Sequence, residues 1–558
     1  MKLMRTDKKI LIIILMIGAL LRLYSLNSVP PGLTPDEASL GYNAYSILKT
    51  GKDEYGNFLP MIFKSFGDYK PGLYVYLTIP FVAILGLNET AIRLPGVFSG
   101  LLGIYLLYKV LIELFESKKK KTHIALIAGF LLAVSPWHIH FSRGAWEVNL
   151  ALSLSLGGIY FFLKALEKEK YIIVSVILFA LTLLSYQGAK LSSLIIVVLL
   201  ALIYSKELKA NVLKNAKPFL LSVVLGIFIA LPVITSIFTG KAGRLEVFSV
   251  FSYPRPFDYT QAFIDKAGVE RDGFLYKTYY SEPLNFTRGI LGRWFNHFSG
   301  RFLFFEGDYQ NPRHTAPNHG VMLLFDMVLL FSGLVFIAGK HKNKGMIFIL
   351  SWLVLAPLPA VLSRDQVQAV RAFNLVIPLI VICAFGVENL KEMILKNKNC
   401  LTRKGCIILS LAFFSASFVF FLDAYFVHLP KYNAKHWYYG YKETVLTVSE
   451  NQSMYGNILF KQSYDQPYIY FLFYQKYDPL KYQENAFLTK KGIDVGVVEK
   501  LDNITFDTFS WPAPAKSKDL VVGDNSSTLG WEEDKTFNLI KEIRYPDKTV
   551  AFRILEKI

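Results

Sequence analysis

The chain has 558 residues, 53% of them hydrophobic and only 19% charged, with 61 Lys and Arg against 43 Asp and Glu. A net charge of +18 would suit a nucleic-acid binder if the chain were soluble. Apolar runs of the ~20 residues needed to cross a bilayer recur from residue 10 to about residue 426, which excludes a cytosolic enzyme, a disordered tail protein and a simple DNA-binding domain.

The first run, 10–26, follows Lys2, Arg5, Lys8 and Lys9. The sequence VPPGLTPDEA behind it offers no small-residue cleavage site, so it reads as an uncleaved span with a cytoplasmic N-terminus. Further spans are expected at 91–115, 124–140, 146–166, 171–186, 190–205, 218–238, 321–339, 345–362, 372–390 and 405–426, eleven in all.

Charge decides the stretch 71–87. If it lies in the interface as a juxtamembrane helix, the N-terminus and the connections 116–122, 164–170, 206–217, 340–344 and 391–404 all face the cytoplasm, carrying 23 Lys and Arg. The short outer connections 139–145, 187–190 and 363–371 then hold only Arg143, Lys190, Arg364 and Arg371. Pro71, Gly72 and Pro80 also suit an interfacial helix.

Three longer segments face outward on this topology: 27–90, 240–320 and 427–558. The last alternates aromatic and polar residues (YIYFLFY, VVGD, TVAFRILEKI) between Gly, Asn and Pro punctuation, which predicts a small α/β domain. The expected architecture is therefore a polytopic α-helical membrane protein. It has about eleven transmembrane helices and juxtamembrane helices in the first outer loop, over residues 1–426, with a small extracytoplasmic α/β domain over 427–558. Cys383, Cys400 and Cys406 lie in or beside apolar spans and offer no disulfide framework.

The chemistry gathers on the outer face. In PDEASLGYNAYSILKTG, Pro35 can start a helix whose first turn holds Asp36 and Glu37. That placement is ordinary for a solvated helix end, but it also sets a carboxylate at the membrane surface as a general base or metal ligand. GDYKPGLYVYL puts Asp68 and Lys70 at the start of the interfacial helix, where Lys70 could hold a phosphate or simply snorkel. HFSRGAWEVNLALSL puts Arg143 and Glu147 at the outer start of the fourth span, as a site or as a helical pair four residues apart. The loop NHFSGRFLFFEGDYQNPRHTAPNHG gathers His297, Arg301, Asp308, Arg313, His314 and His319. It lacks tight zinc-ligand spacing, and Arg313 with His314 reads as a phosphate or sugar contact. SRDQVQAVRAFN adds Arg364, Asp365 and Arg371.

A transporter would keep its ionisable groups near the bilayer midplane, whereas here the spans are almost free of charge. A polytopic lipid or polysaccharide transporter, or a scaffold presenting the C-terminal domain, is the competing reading. Carboxylates beside cations at an interface suit group transfer from a lipid-linked phosphate, the cations stabilising the departing phosphate and one carboxylate deprotonating an acceptor hydroxyl.

These residues resemble the GT-C superfamily of polyprenyl-phosphate-sugar glycosyltransferases, and most nearly the protein O-mannosyltransferase and lipid A aminoarabinose transferase group. The resemblance covers roughly residues 8–390 and is strongest over 30–160. It implies that Asp36 is the catalytic base, Glu37 its companion and Glu147 the second acidic residue, usually Asp in the family. Lys70 of the Lys-Pro pair and Arg371 would bind the donor phosphate, with Arg143 offsetting its charge. Asp68, one residue off the acidic position that precedes that Lys in some members, is the candidate ligand for a divalent metal ion. Gln366 and Gln368 occupy the region where the family has a His. The implied partners are a polyprenyl-phosphate-linked sugar donor, a lipid, glycan or protein acceptor and membrane lipids, without nucleic acid. The implied reaction inverts the anomeric carbon outside the cytoplasm, at a multi-pass protein of the cell membrane.

Overall fold

The computed structural model describes residues 2–115, 118–239, 276–340, 343–396, 399–463, 466–485, 488–490 and 496–558, with isolated positions between 265 and 274. The expected outer loop 240–320 therefore falls partly outside the described residues, as does part of each basic connection at 116–122, 340–344 and 391–404.

The molecule is a multi-pass helical membrane protein with a small C-terminal sheet domain. Eleven helices lead the chain: α1 (Lys2–Leu23), α2 (Pro35–Thr50), α3 (Leu73–Leu85), α4 (Glu89–Leu114), α5 (Lys118–Val134), α6 (Pro136–Arg143), α7 (Glu147–Glu167), α8 (Tyr171–Leu183), α9 (Ala189–Ile203), α10 (Ser205–Lys214) and α11 (Lys217–Phe238). Among the described residues six helices are long and apolar enough to cross a membrane alone, and eight spans result if each of two bent pairs is one. The expected eleven are reached only by adding α1 and the shorter apolar helices α8 and Leu324–Gly339.

One expected span is broken. The run 124–140 bends by 57° between α5 and α6. Ser135 caps α6 by accepting from the His138 N–H at 3.4 Å, and Pro136 at its first turn has no N–H to continue the ladder from α5. A second break, at residues 144–146, puts Arg143 at the end of α6 and Glu147 at the start of α7, so the alternative of an Arg143–Glu147 helical pair does not form.

The first outer loop contains a helix and a hairpin. Thr34 caps α2 with a capping box, its hydroxyl accepting from the Glu37 N–H at 3.2 Å while Glu37 Oε2 accepts from the Thr34 N–H at 3.1 Å. Strands β1 (Ile62–Ser65) and β2 (Asp68–Pro71) pair antiparallel, with Phe63 opposite Lys70 and Ser65 opposite Asp68. Asp68 and Lys70 thus sit on a strand and not at a helix start, because α3 begins only at Leu73. Strand alternation turns both to one face, where both are buried.

The C-terminal domain holds an antiparallel pair, β4 (Leu488–Lys490) with β5 (Gly496–Val498), and a six-stranded sheet in the order β6-β7-β3-β8-β10-β9. Central β3 (Ile458–Lys461) runs parallel to β7 (Ile504–Asp507) and β8 (Leu520–Asp524). On one side β10 (Val550–Lys557) continues antiparallel to β9 (Phe537–Arg544); on the other, β6 (Lys500–Leu501) pairs antiparallel with β7. The VVGD and TVAFRILEKI runs supply β8 and β10, but YIYFLFY is the helix Tyr468–Tyr474. Residues 468–473 are all buried there, so a helix apolar all round takes the place of an alternating strand.

That helix joins the two halves. Leu33, Tyr42, Phe63 and Tyr74 of the first outer loop share one core with Tyr441, Tyr470, Phe471 and Phe552 of the C-terminal domain. The Tyr42 hydroxyl donates to the Tyr477 carbonyl at 3.2 Å, and the Tyr470 hydroxyl donates to the Leu33 carbonyl at 2.9 Å.

Candidate active site

Eight of the residues picked out by sequence line one cavity of about 250 Å³: Asp36, Lys70, Glu147, Arg313, His314, Arg364, Asp365 and Arg371. They come from five separate stretches of chain. Asp36 stands in the first turn of α2, Lys70 on β2 and Glu147 at the first position of α7. Arg313 and His314 lie on a short 3-10 turn, and Arg371 in the segment leading into the helix Val376–Lys396. The positive ends of the α2 and α7 dipoles both reach this cavity.

Its charge is mixed. Lys70, Arg313, Arg364 and Arg371 face Asp36, Glu147 and Asp365. Lys70 Nζ donates to Asp36 Oδ1, with the Asp36 side chain 50% exposed and that of Lys70 9%. Arg371 Nη1 donates to Asp365 Oδ2 at 3.0 Å. Asp36 is thus an accessible carboxylate held next to an ammonium group.

Asp308 assembles one wall. Oδ2 accepts from His314 Nδ1 at 2.9 Å and from the Ala369 N–H at 2.8 Å. Oδ1 accepts from the Asn311 N–H at 3.1 Å and from Asn311 Nδ2 at 3.0 Å. Burial opposes its ionisation, but the bonds from His314, Ala369 and Asn311 outweigh it and hold the carboxyl below the usual range. The His314 imidazole is lowered by burial, with Arg313 and Arg371 adding to the effect against the raising influence of Asp308. At neutral pH the ring is neutral, its Nδ1–H directed to Asp308. Asp308 thereby ties the 311–314 turn to the 364–371 segment and positions both His314 and Arg371.

Three expected site residues do not line the cavity. Glu37 is buried, its Oε1 accepting from Arg93 Nε at 3.1 Å and from the Ala145 N–H at 3.0 Å. It is a positioning residue that locks α2 to α4 and to the start of α7. Arg143 is also buried, donating to the carbonyls of Leu21 (2.8 Å), Ser25 (3.3 Å) and Val29 (2.8 Å) beneath the Phe426 ring. These contacts support the first outer loop and leave its guanidinium no part in the cavity. Asp68 is buried on β2, and among the described residues no three His, Cys, Asp or Glu side chains converge to hold a metal ion, so the expected metal role of Asp68 finds no ligand set. His319 is engaged with the Gly320 carbonyl, while His297 donates to the Arg293 carbonyl and accepts at Nε2 from the Gln368 N–H at 3.1 Å, bracing the 364–371 segment from behind.

Sequence reasoning passed over Tyr186, Gln187 and Asn311, which also line the cavity, and named Gln368 only as standing where the family has a His. Tyr186 and Gln187 stand in a short connection read only for its charge. Gln187 Nε2 donates to the Tyr69 carbonyl at 2.8 Å, fastening β2 and hence Lys70 to the α8–α9 turn.

A family model described as dolichyl-phosphate-mannose-protein mannosyltransferase matches residues 69–235. No curated protein matches the chain. Among solved structures, ArnT from Cupriavidus metallidurans bound to undecaprenyl phosphate is similar at 12% identity and a TM-score of 0.53, covering 97% of each chain. The same protein in the apo state gives 12% identity and a TM-score of 0.51, again over 97% of each chain. The apo oligosaccharyltransferase of Archaeoglobus fulgidus aligns at 13% identity and a TM-score of 0.48, over 84% of this chain and 63% of that one. The resemblance read from the sequence is thus borne out by the family model over residues 69–235, which takes in the Lys-Pro pair but not Asp36 and Glu37, and the ArnT structures share the fold along 97% of the chain.

Proposed function

We propose that the chain is an integral-membrane glycosyltransferase that moves one sugar from a polyprenyl-phosphate donor to an acceptor hydroxyl on the extracytoplasmic face. The cavity carries this reading: an exposed carboxylate, Asp36, stands among Lys70, Arg313, Arg364 and Arg371 at the outer ends of the helices. The bias of Lys and Arg toward the opposite connections supports the outward orientation. The similar ArnT structure holds undecaprenyl phosphate, which supports a polyprenyl phosphate as the leaving group here.

In this reading the donor phosphate binds the cations and draws Lys70 from Asp36. The acceptor oxygen attacks the anomeric carbon on the face opposite the phosphate while Asp36 takes its proton. The C–O bond to phosphate breaks with its electron pair going to the phosphate, so the sugar inverts and polyprenyl phosphate leaves. Cations aimed at that developing charge act where water is scarce and their field is strong. Glu147, at the positive end of α7, faces the same space and orients acceptor hydroxyls.

Release of polyprenyl phosphate from a labelled polyprenyl-phosphate sugar by purified protein in liposomes tests the reading. Asp36→Asn is expected to lower it by ~10²–10⁴-fold with donor binding retained. A fully active Asp36→Asn protein, or movement of labelled lipid across the bilayer without release, overturns it.

A further inference from the structure

A second, larger cleft lies on the outer side, where the C-terminal domain meets the first outer loop. Its volume is about 540 Å³, within the ~300–1,000 Å³ of small-molecule sites. It shares no lining residue with the cavity around Asp36. Three tyrosines, Tyr438, Tyr439 and Tyr474, line it together with Glu89, Glu443 and Glu450 and the lysines Lys442 and Lys541.

These groups are pre-set. Lys442 Nζ lies 2.9 Å from Glu89 Oε1, which also accepts from the Tyr474 hydroxyl at 3.2 Å. Lys541 Nζ lies 2.8 Å from Glu443 Oε1 and donates to Thr447 Oγ1 at 3.2 Å. The rings are braced by others, Tyr438 and Tyr474 by Tyr470 at 6.3 and 6.5 Å, and Tyr439 by Tyr545 at 6.4 Å. Two carboxylates are thus neutralised within the cleft, leaving little net field to draw a polyanion. Tyrosine offers an apolar face with a polar rim. Fixed carboxylate and ammonium groups beside it have lone pairs and N–H bonds to spare for hydroxyl groups. Flat apolar faces flanked by fixed donors and acceptors, with Glu450 at the rim the one carboxylate of the lining not paired to a lysine, match a pyranose ring, whose C–H face is apolar and whose edge is all hydroxyl.

We propose that this cleft binds a neutral saccharide and holds the distal part of a glycan acceptor. The assignment as acceptor rests on the transferase reading; the binding itself does not. The loop that floors the cleft with Pro31, Gly32 and Leu33 runs directly through the Thr34 cap into Asp36. A glycan seated on one side of that loop is registered against the base on the other.

Calorimetric titration of the full-length protein in nanodiscs with mannotriose, cellotriose, maltotriose and chitotriose tests this. At least one is expected to bind saturably. Tyr439→Ala and Tyr474→Ala should each weaken it about tenfold, and Glu450→Gln, at the exposed rim, about threefold. If an alanine variant misfolds, Tyr474→Phe, which removes only the hydroxyl on Glu89, makes the same comparison. Asp36→Asn should bind unchanged. Absence of binding by all four sugars, indifference to the cleft variants, or competition of a Ser/Thr-rich peptide for the cleft overturns the proposal. Cleft-dependent sugar binding without any polyprenyl phosphate release leaves the cleft assignment standing and removes the transferase reading. Release that proceeds normally in cleft variants that no longer bind sugar leaves the transferase reading standing and overturns the cleft's role in holding the acceptor.

Discussion

Glu37 and Arg93 form an ion pair in which neither side chain is more than 5% exposed, with Nε and Oε1 3.1 Å apart. The pair is fully supplied with partners. Arg93 also donates to the carbonyls of Leu26 at 3.0 Å, Pro30 at 3.1 Å and Gly32, so one guanidinium gathers the whole 26–32 loop onto Glu37. Removing one member of a buried pair costs ~3–5 kcal/mol because the other charge is left without compensation. Glu37→Ala is expected to lower the thermal midpoint sharply and Asp36→Ala scarcely at all, though the two residues are adjacent. Fluorescence-detected melting of the two variants checks this.

The cations expected from sequence to meet the donor phosphate should separate by what holds them. Lys70→Met and Arg371→Met each remove a charge-assisted contact worth ~1.5–3 kcal/mol, so donor binding should weaken by roughly ten- to a hundredfold. Arg143→Met should leave the donor affinity of the folded protein near that of the wild type while destabilising it, since its bonds go to Leu21, Ser25 and Val29. Titration with a polyprenyl-phosphate analogue, read beside the melting curves, distinguishes the two outcomes.

Acid should loosen the outer loop. His319 is pushed down to about 4 by burial, against a bond to the Gly320 carbonyl, and His297 and His314 are lowered for the same leading cause. In each the unfolded chain binds the proton more readily than the folded one. Their stabilisation is complete above the ordinary histidine range and is lost as pH falls below ~6.5 toward the folded values. His319 alone accounts for up to ~3 kcal/mol by pH 4. The melting temperature should fall from pH 7 to pH 5, and His319→Gln should flatten that slope.

Gly32 admits no side chain. A Cβ there would lie 1.9 Å from the Trp437 carbonyl oxygen, so the backbones of the first outer loop and the C-terminal domain meet at that point. Gly32→Ala should force them apart at a cost of ~1–3 kcal/mol, and limited proteolysis near residue 437 should quicken.

Local patterns in the chain carried much of the architecture. Pro35 followed by acidic residues did mark a helix start, and the cations and carboxylates of five dispersed motifs did meet in one cavity. What local patterns could not carry was direction. Asp36 and Glu37 differ by one residue, which on a helix is a rotation of ~100°; the capping box with Thr34 is a local mark of Glu37, but its burial against Arg93, 56 positions away, is not. Arg143 and Glu147 have helical spacing, yet the break after Arg143, at residues 144–146, puts them on different helices. Lys70 precedes an apolar helix but belongs to a hairpin whose partner strand, Ile62–Ser65, is too short to announce itself. YIYFLFY carries β-prone rings that the surrounding core turns into a helix.

The core shared by the first outer loop and the C-terminal sheet has a consequence for inheritance. Leu33 and Tyr42 pack on Tyr470 and Phe473 neighbours within a few residues of Asp36, so the C-terminal sheet domain is a supporting wall of the loop that carries Asp36 and not a detachable appendage. A chimera that exchanges this domain with that of a relative must exchange residues 27–50 with it. In natural chains the two segments should vary together, because neither can drift without unseating the other.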